Sequence, residues 1–385
     1  MFFNIKNILG TRKLIYQNNL ENTNKCFKSA YFGIDPTSSY LHIGHLLYFI
    51  IAQIMSDNNM KVYILVGDFT YQIGDPSFRE NVRNKESYNK NNVSQITKIV
   101  SRLANHMKLN YEIVYNSSWM KNLTIDDYLK EVGKNFNVKD ILNSRVFSNR
   151  SEDIPLTLSE LIYCTIQGYD FYFLFKEKNC DLQIGGQDQW FNMISGCSLI
   201  RKKENKESYI ITVPLVTDKY NQKIGKTLNT NHFKIYDSIY PITYWCHINN
   251  LDSFVLNNLL VNTDIANIDD LKKYLFCCFF TEEAFNFVNF YYKKIINNEE
   301  INYIAKYNNF IYFENYADFK INMLFRLTLD KEVDSKQIEN IIKNGVIING
   351  VKFFNKKSIF SNIKINLSNY IVIKNYVFIF FLKEQ

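Results

Sequence analysis

The sequence predicts an α/β protein: a parallel-sheet domain wrapped by helices, then a mostly helical domain and a small α+β domain. Three observations support this fold class. Residues 1–230 alternate short apolar, β-branched runs with helical patterns, which is typical of a buried parallel sheet. Residues 231–325 change to aromatic-rich helical segments without Gly. Residues 326–385 change again, to one helix and a tight hairpin.

The alternating part contains three strand patterns and two clear helix patterns. The strands are "YFGID", "KVYILVGD" and "YEIVYN", short runs that are rich in β-branched and aromatic residues. The helices are "LLYFIIAQIMSDN" and "VSQITKIVSRLANHM", in which apolar residues recur at helical spacing. The order of these patterns predicts β-α-β units.

The remainder of the chain has different patterns. "DDLKKYLFCCFF" and "EEAFNFVNFYYKKII" predict helices in the middle segment, which carries no strong strand signal. Near the end, Ile338 and Ile342 fall on one face of a predicted helix. A hairpin should follow, because Asn349 and Gly350 readily adopt the positive φ angles of a two-residue turn.

Length and composition restrict the possible classes of protein. The chain has 385 residues, which is more than a single hydrophobic core usually accommodates. We therefore expect three domains, at 1–230, 231–325 and 326–385. It is 46% hydrophobic, but charges recur too often for a membrane span, which indicates a soluble globular protein without a membrane partner. Its net charge of +7 favours a polyanionic partner.

The cysteines argue against two structural roles. Seven cysteines are scattered along the chain. Their odd number and the lack of a C-x-x-C pair argue against both a disulfide framework and a zinc site. A reducing compartment fits best.

The first chemical motif is H-x-G-H, formed by His42, Gly44 and His45 where an apolar run meets a helix pattern. A strand-to-helix junction directs backbone N–H groups at an anion, and Gly44 lets a flat base approach the chain. The imidazoles, at i and i+3, share a face and can donate to phosphates. Accidental placement and a His-x-x-His metal site are the alternatives, and no third metal ligand is suggested nearby.

The second motif is "KIGKT", with Lys223, Lys226 and Thr227. Two lysines flanking a Gly can stabilise charge that develops on phosphates. Alone, this motif is better explained as a solvated loop. Its pairing with H-x-G-H gives it significance.

Five stretches taken in order carry a family resemblance: "FGIDPTSSYLHIGH", "GDPSFRENVR", "YCTIQGYD", "LQIGGQDQWFN" and "KIGKT". Over residues 31–227 the chain resembles class I aminoacyl-tRNA synthetases, and the bacterial-type tyrosyl-tRNA synthetases in particular. The resemblance implies a Rossmann-like catalytic domain, a helical anticodon-side domain and a small RNA-binding domain. It also implies a homodimer that activates tyrosine with Mg²⁺-bound ATP, holds no tight cofactor and charges the tRNA for tyrosine.

The expected tyrosine site centres on the helix "LSELIYCTIQGYDFYFLF". Tyr163, Gln167 and Asp170 form one polar line on an otherwise apolar surface, and an acid buried there needs a donor. The resemblance gives Asp170 and Tyr31 the phenol of substrate tyrosine, and gives Tyr163, Gln167 and Asp75 its ammonium group. A capping or salt-bridged role for Asp170 is the alternative.

The expected ATP site includes Gly185 and Gly186, where a missing β-carbon admits ribose or adenine. Asp188 can accept from ribose hydroxyls, while Gln183 and Gln189 reach the polar ends of the substrates. A plain Gly-Gly turn is the alternative. The complete set expected at ATP is Gly33, Asp35, Thr37, Gly44, Gly186, Asp188, Gln189 and Lys226. Arg79 and Arg83 are either a pyrophosphate clamp or a solvated helix face.

Several residues depart from the family's usual pattern. Bulkier or more polar side chains replace small ones in the positions expected at nucleotide and pyrophosphate, which bears on the tightness of those contacts and leaves the reaction type unchanged. These residues are Phe32, Tyr48, Phe78, Gln187 and Phe191.

Two rival functions remain open. One is another class I adenylating enzyme, such as a tryptophanyl-tRNA synthetase or a small nucleotidyltransferase. The other is a synthetase-derived RNA-binding protein without catalysis. Residues 1–20 hold three bases and no acid, faintly like a transit peptide, but a bacterial cytoplasm is favoured over an organelle of an AT-rich parasite. Four lysines of the last domain should add phosphate contacts to tRNA: Lys343, Lys352, Lys356 and Lys357.

Overall fold

The structure is a computed structural model of the chain. It describes residues 5–21, 25–74, 90–144, 157–217, 220, 224, 234–237, 241–296, 310–313, 338–339, 342–343, 346–348, 351–353, 368–373 and 376–382. Predicted site and tRNA-contact positions that lie outside these ranges are Asp75, Phe78, Arg79, Arg83, Lys223, Lys226, Thr227, Lys356 and Lys357. The turn residues Asn349 and Gly350 also lie outside them.

The chain forms two compact units. The first consists of Met1–Asp237 and Asp252–Ile268, and the second of Ser238–Leu251 and Asp269–Gln385. The three-domain division expected from the sequence stays a prediction.

The first unit is built on a six-stranded sheet of order β1-β7-β6-β2-β4-β5. Its central strands are buried almost without interruption, as in parallel sheets covered on both faces. All neighbouring pairs are parallel except β1 and β7, so the predicted parallel sheet is confirmed. Two short strands, β3 and β8, pair separately. The strands are β1 Gln17–Asn18, β2 Ser29–Ile34, β3 Leu41–His42, β4 Lys61–Val66, β5 Tyr111–Tyr115, β6 Leu182–Gly186, β7 Tyr209–Val213 and β8 Lys234–Ile235.

Helices connect these strands, and both predicted helix patterns are confirmed. The helices are α1 Ile5–Thr11, α2 Ile43–Asp57, α3 Lys90–His106, α4 Ser117–Met120, α5 Ile125–Asp127, α6 Val138–Leu142, α7 Leu158–Lys178 and α8 Trp190–Glu204. Helix α5 continues through a π turn at Tyr128–Val132, and 3₁₀ turns occur at Thr70–Gln72, Gly133–Asn135 and Gln187–Gln189.

Helix α7 begins with a reciprocal cap. The Glu160 carboxylate accepts from Thr157 N–H over 2.9 Å, and the Thr157 hydroxyl accepts from Glu160 N–H over 3.3 Å. Helices α7 and α8 approach closely, because a β-carbon on Gly168 would lie only 3.1 Å from the Gly196 backbone nitrogen. Gly168 therefore serves the close packing of α7 on α8.

The second unit has an aromatic core, and the predicted helices of the middle segment are confirmed. Tyr244 lies within 6 Å, between ring centroids, of Phe276, Phe279 and Phe280. The helices that follow the first unit's last strand are α9 Pro241–Asn249, α10 Ser253–Val261, α11 Ile268–Cys277 and α12 Glu282–Ile296; of these, α10 belongs to the first unit.

A five-stranded sheet completes the second unit, in the order β11-β10-β12-β13-β9. The predicted hairpin is confirmed by the pairing of β10 with β11, and Ile338 and Ile342 are helical and buried as expected. The expectation of no strand in the middle segment is wrong at Phe310–Phe313, whose aromatic and β-branched run pairs in parallel with β13. The strands are β9 Phe310–Phe313, β10 Val346–Ile348, β11 Val351–Phe353, β12 Ser368–Ile373 and β13 Tyr376–Leu382.

Within the described ranges, no helix is long and apolar enough to cross a bilayer.

Candidate active site

The H-x-G-H motif lies where strand β3 ends and helix α2 begins. His42 precedes the helix with an extended backbone, φ −114° and ψ 170°, and its N–H donates to His45 Nδ1 over 3.1 Å. The imidazole centroids are 3.8 Å apart, so the rings lie on one face as their spacing predicted. Because His45 Nδ1 accepts, the neutral ring carries its proton on Nε2, which is the donor it can offer to a phosphate.

One residue of the second motif, Ile224, lies beside the H-x-G-H motif. Ile224, within "KIGKT", donates its N–H to the Val216 carbonyl over 2.9 Å, and its own carbonyl would be 3.9 Å from a β-carbon on Gly44. Strand β8 then returns along β3, with Lys234 opposite His42. Ile224 is therefore close to Gly44, and the placement of Lys223, Lys226 and Thr227 at the site stays a prediction. A β-carbon on Gly44 would lie 3.0 Å from the His42 ring. The His42 ring therefore borders the space beside Gly44.

Two buried polar side chains lie next to each other at the centre of the sheet. Tyr31 and Gln183 are neighbours on the parallel strands β2 and β6, and they are only 1% and 3% exposed. The Tyr31 hydroxyl and Gln183 Oε1 have no hydrogen-bond partner among the described residues. Since buried polar atoms are normally paired, these two indicate a pocket that a polar ligand completes.

Asp170 supplies the carboxyl group of this cluster, and the structure identifies its donors. Trp119 Nε1 donates to Asp170 Oδ1 over 2.7 Å, and Asn116 Nδ2 donates to Oδ2 over 3.1 Å. Burial raises the pKa of Asp170 to about 8, although both donors act to lower the pKa. Burial and then the Asp170 charge raise the pKa of Tyr31 well above its usual value. The alternatives of a capping or salt-bridged Asp170 do not match these contacts.

Sequence reasoning missed Asn116 and Trp119. A signal was present, because Asn116 directly follows strand β5, and the carboxyl ends of parallel strands are where ligand sites form. Trp119 is also one of only three Trp in the chain.

A hydrogen-bond network extends from Asn116 to the strand end that carries Asp35. Asn116 Nδ2 donates to Thr70 Oγ1 over 3.1 Å, and Thr70 Oγ1 donates to Asp35 Oδ1 over 2.8 Å. The Tyr163 hydroxyl donates to Asp35 Oδ2 over 2.9 Å. A β-carbon on Gly67 would overlap both Asp35 Oδ1 and Thr70 Oγ1, so Gly67, which sequence reasoning also missed, makes room for the network.

Three amide side chains line the next part of the site. Gln189 Oε1 accepts from Asn192 Nδ2 over 3.0 Å and from Gln167 Nε2 over 3.4 Å. Gln167 Oε1 and Asn192 Oδ1 are buried and find no partner within the described ranges. Gln167, expected at tyrosine, and Gln189, expected at ATP, thus contact each other, and Asn192 is an addition to the predicted set.

The expected ATP residues lie at the carboxyl ends of β2 and β6. Gly33 is exposed in an otherwise buried strand, which leaves its backbone open, and Thr37 N–H donates to the Asp35 carbonyl over 2.8 Å. The expectation for Gly185 is wrong, because its β-carbon position is filled by Met193 Sδ at 2.5 Å.

Gly186 has a related role. A β-carbon there would lie 2.5 Å from Asp188 Oδ1, so this glycine seats the Asp188 carboxylate, and the expectation that ribose rests directly on Gly186 needs that revision. The acceptor predicted for ribose hydroxyls is held at the end of β6.

The bulky departures from the family pattern have local partners. Phe32 and Tyr48 stack on each other, with centroids 5.5 Å apart and planes 15° apart. Phe191 packs against the buried pair Ile141 and Cys164. Gln187 lies in the 3₁₀ turn after β6, and no contact explains its replacement of a small residue.

In the part of the chain that the structure describes, no cluster of three or more His, Cys, Asp or Glu side chains could hold a metal ion.

The parallel sheet, with the H-x-G-H helix start and a buried polar pocket at its centre, defines an α/β domain of the class I aminoacyl-tRNA synthetase type. A family model described as tRNA synthetases class I (W and Y) matches residues 24–243. The chain belongs to this family.

Curated relatives narrow the comparison. The tyrosine–tRNA ligase of Borreliella burgdorferi (strain ZS7) is 39% identical over 222 residues, which cover 54% of this chain and 52% of that protein. The tyrosine–tRNA ligase of Streptococcus agalactiae serotype Ia is 33% identical over 285 residues, covering 70% and 67%. The chain thus matches about half the length of the first relative.

Solved structures share the fold. A C-terminally truncated mitochondrial tyrosyl-tRNA synthetase from Aspergillus nidulans is similar with a TM-score of 0.63 at 18% identity, over 76% of this chain and 94% of that one. The corresponding enzyme from Coccidioides posadasii gives a TM-score of 0.60 at 18% identity, over 74% and 90%. At this identity the likeness concerns the fold alone.

Proposed function

We propose that the protein is a tyrosine–tRNA ligase. The observation that carries the proposal is the pocket between β2, β6 and α7, in which the Tyr31 hydroxyl lacks a described partner and lies near the buried Asp170 carboxylate. A phenol O–H placed between them donates to Asp170 and accepts from Tyr31. Phenylalanine would leave both groups unpaired, which is costly in a buried site.

The polar groups beyond the phenol site suit the amino-acid end of the substrate. Gln167 Oε1 and Gln183 Oε1 offer acceptors to the ammonium group, and Asp75 adds a carboxylate by family resemblance. Tyr163 holds Asp35 in place. Tyrosine is thereby oriented with its carboxylate towards the H-x-G-H helix end.

The first reaction step is adenylation. A carboxylate oxygen of tyrosine attacks the α-phosphorus of Mg²⁺-bound ATP, the bond from that phosphorus to the β-bridging oxygen breaks, and pyrophosphate leaves. His42, His45, Lys223, Lys226 and Thr227 stabilise the charge that develops on the phosphates, while Arg79 and Arg83 hold pyrophosphate. No cofactor is needed, since catalysis rests on positioning and electrostatics.

In the second step a hydroxyl of the terminal ribose of tRNA attacks the carbonyl carbon of tyrosyl-adenylate, and AMP leaves. The basic C-terminal segment would bind tRNA phosphates without reading the base sequence. Lys343 is exposed there. We place this reaction in the cytoplasm of a bacterium, in line with the bacterial relatives.

A homodimer forms part of the proposal. Helices α6 and α7 pack together through Ile141 and Cys164, and the same region exposes several large apolar side chains, which is unusual for a free surface and fits a second copy of the chain. These side chains are Ile125 (80% exposed), Leu129 (58%), Val138 (53%), Leu142 (43%) and Leu158 (72%).

Sedimentation tests the dimer. Wild type should sediment as a dimer, and Leu158→Asp as a monomer at equal concentration, because a buried unpaired charge opposes association. The matched control is Val261→Asp, which changes an equally apolar residue that is 48% exposed on helix α10. A monomeric wild type, or a dimeric Leu158→Asp, contradicts the proposed interface.

Charging of tRNA tests the overall function. Purified protein is incubated with ATP, Mg²⁺, bacterial tRNA and either labelled tyrosine or labelled tryptophan. Acid-stable attachment of tyrosine alone is expected. Attachment of tryptophan would indicate the other branch of the family, and tRNA binding without charging would indicate a non-catalytic RNA-binding protein.

A further inference from the structure

Tyr48 and Phe32 form a fixed aromatic pair beside the expected nucleotide site. Tyr48 lies three residues beyond His45 on helix α2, so the two side chains share a helix face. Its ring stacks on Phe32 of β2 with centroids 5.5 Å apart. Phe32 is 2% exposed and meets Phe49 edge-on at 5.6 Å. The Phe32 ring is therefore immobilised, and it holds the ring of Tyr48.

The Tyr48 hydroxyl reaches the same point as the Asp188 carboxylate. A β-carbon on Gly186 would lie 3.1 Å from the Tyr48 oxygen and 2.5 Å from Asp188 Oδ1. A larger residue at position 186 would displace both groups. The end of strand β6 thus brings a phenolic O–H and a carboxylate together.

The Tyr48 hydroxyl keeps its proton and can donate it. Burial and then the Asp188 charge raise the pKa of Tyr48 above its usual value, while the Gly186 backbone acts in the opposite direction. A protonated phenol can donate one hydrogen bond and accept another.

A donor and an acceptor at one point are what a single alcohol group requires. An alcohol gives its proton to a carboxylate and accepts one from a phenol. A phenylalanine at position 48 would stack on Phe32 equally well, so packing alone gives no reason for the hydroxyl.

We propose that Tyr48 is a specificity-determining residue for the nucleotide: its O–H donates to the ribose hydroxyl whose proton Asp188 accepts, and Phe32 fixes its ring. This inference rests on the proposed function and deepens it. The aromatic pair replaces the smaller residues that are usual in the family. It adds a hydrogen-bond donor, so that one ribose hydroxyl has both a donor and an acceptor.

The test compares ATP with 2′-deoxy-ATP and 3′-deoxy-ATP in tyrosine-dependent pyrophosphate exchange. Wild type should use at least one deoxy analogue less efficiently than ATP. Tyr48→Phe keeps the stack and removes the O–H, so kcat/KM for ATP should fall about five- to tenfold, the usual effect of one hydrogen bond. Efficiency with the disfavoured analogue should stay unchanged, because its hydroxyl is already missing.

Two variants serve as controls. Tyr111→Phe removes a phenolic hydroxyl that donates to Asn105 and is not part of the proposed site, so kcat/KM should stay unchanged with ATP and with both analogues. Phe32→Leu removes the ring that holds Tyr48 and should reproduce part of the loss for ATP. If Phe32→Leu does not fold, Tyr48→Phe still decides the matter.

Separate outcomes overturn the two proposals. An equal loss with ATP and both analogues in Tyr48→Phe, no loss at all, or no discrimination by wild type would overturn the role of Tyr48. ATP binding is also measured by calorimetry without amino acid. If wild type binds ATP but shows no exchange with tyrosine, the proposed function fails, while weaker ATP binding by Tyr48→Phe would still support the inference. Absence of both binding and exchange overturns both.

Discussion

The tyrosine side and the nucleotide side of the site are built differently. On the tyrosine side, Asp170 is 1% exposed and held by Asn116 and Trp119 from a separate element. On the nucleotide side, Gly33 leaves a strand surface open, and Asp188 stands at the end of β6 beside Gly186. One side is a closed, pre-ordered pocket, and the other is an open edge.

This difference indicates where selectivity and where catalysis reside. A closed pocket with polar atoms that await partners selects a small ligand strictly, because a wrong ligand leaves them unpaired. An open edge with a helix start suits a large, charged group whose transition state must be stabilised. Substitutions on the two sides should therefore affect different kinetic constants.

The largest effect is expected on the nucleotide side, from Lys226→Ala. Losing a cation that stabilises the phosphates should slow adenylate formation about 100-fold and leave tyrosine affinity nearly unchanged. Rapid-quench measurement of adenylate formation and equilibrium tyrosine binding check both parts. Lys98→Ala, an exposed lysine on α3, is the control. A large loss of tyrosine binding in Lys226→Ala would contradict the assignment of Lys226 to the nucleotide side.

Asp170→Asn should act on the tyrosine side alone. The new amide NH₂ would face the N–H donors of Asn116 or Trp119, and the phenol would lose its carboxyl acceptor. We expect kcat/KM for tyrosine to fall about 50-fold, roughly the effect of two lost hydrogen bonds, with KM for ATP unchanged. Asp181→Asn, a buried acid paired with Lys25, controls for loss of a carboxylate. An equal rise in KM for ATP would contradict the separation of the two sides.

The raised pKa of Asp170 predicts a pH-dependent stability. The native state holds the proton up to pH of about 8, whereas the unfolded chain releases it near pH 4. The stabilising contribution is therefore complete below pH 4 and is lost as the pH rises through 8. Relative to Asp170→Asn, the wild-type free energy of unfolding should fall by a few kcal/mol across this window. Parallel denaturant curves for the two proteins would show that Asp170 ionises normally.

Gly67→Ala should disturb the network that links Asp35 to Asn116. Its β-carbon would overlap Asp35 Oδ1 and Thr70 Oγ1, so we expect a loss of about 2 kcal/mol in the free energy of unfolding and weaker tyrosine binding. Gly10→Ala is a matched control, because its β-carbon meets nothing within 4 Å and lies inside helix α1. If both variants are equally stable, Gly67 is not a spacing residue.

The smallest effect should come from Trp119→Phe. The ring can still stack on Phe173, 4.5 Å away, while the donor to Asp170 is lost. KM for tyrosine should rise about fivefold, as expected for one hydrogen bond, and the pKa of Asp170 should rise further. Trp245→Phe is the control, since Trp245 Nε1 has no partner among the described residues. Equal KM values in both variants would show that the Trp119 hydrogen bond to Asp170 does not contribute to tyrosine binding.

The parts of the site that follow local rules were predictable from the sequence. The spacing of His42 and His45 places both rings on one helix face, and the line from Tyr163 to Asp170 follows from helical periodicity. The parallel sheet followed from alternating strand and helix patterns.

Other parts depend on contacts between distant segments. Asn116 and Trp119 reach Asp170 across more than 50 residues of sequence, and no periodicity encodes such a pairing. Gly67 and Gly185 looked like ordinary or ligand-facing glycines until the side chains of Asp35 and Met193 were seen in their space. Strand β9 was missed because its pairing partner, β13, lies at the end of the chain.

Recognition of the phenol hydroxyl of tyrosine by Tyr31 and Asp170 is tested by ATP–pyrophosphate exchange of the wild-type protein, with tyrosine, phenylalanine and tryptophan in parallel. We expect rapid exchange with tyrosine and kcat/KM values for the other two lower by at least about a thousandfold, the kind of discrimination seen when buried polar groups are left unpaired. Equal exchange with phenylalanine would contradict it.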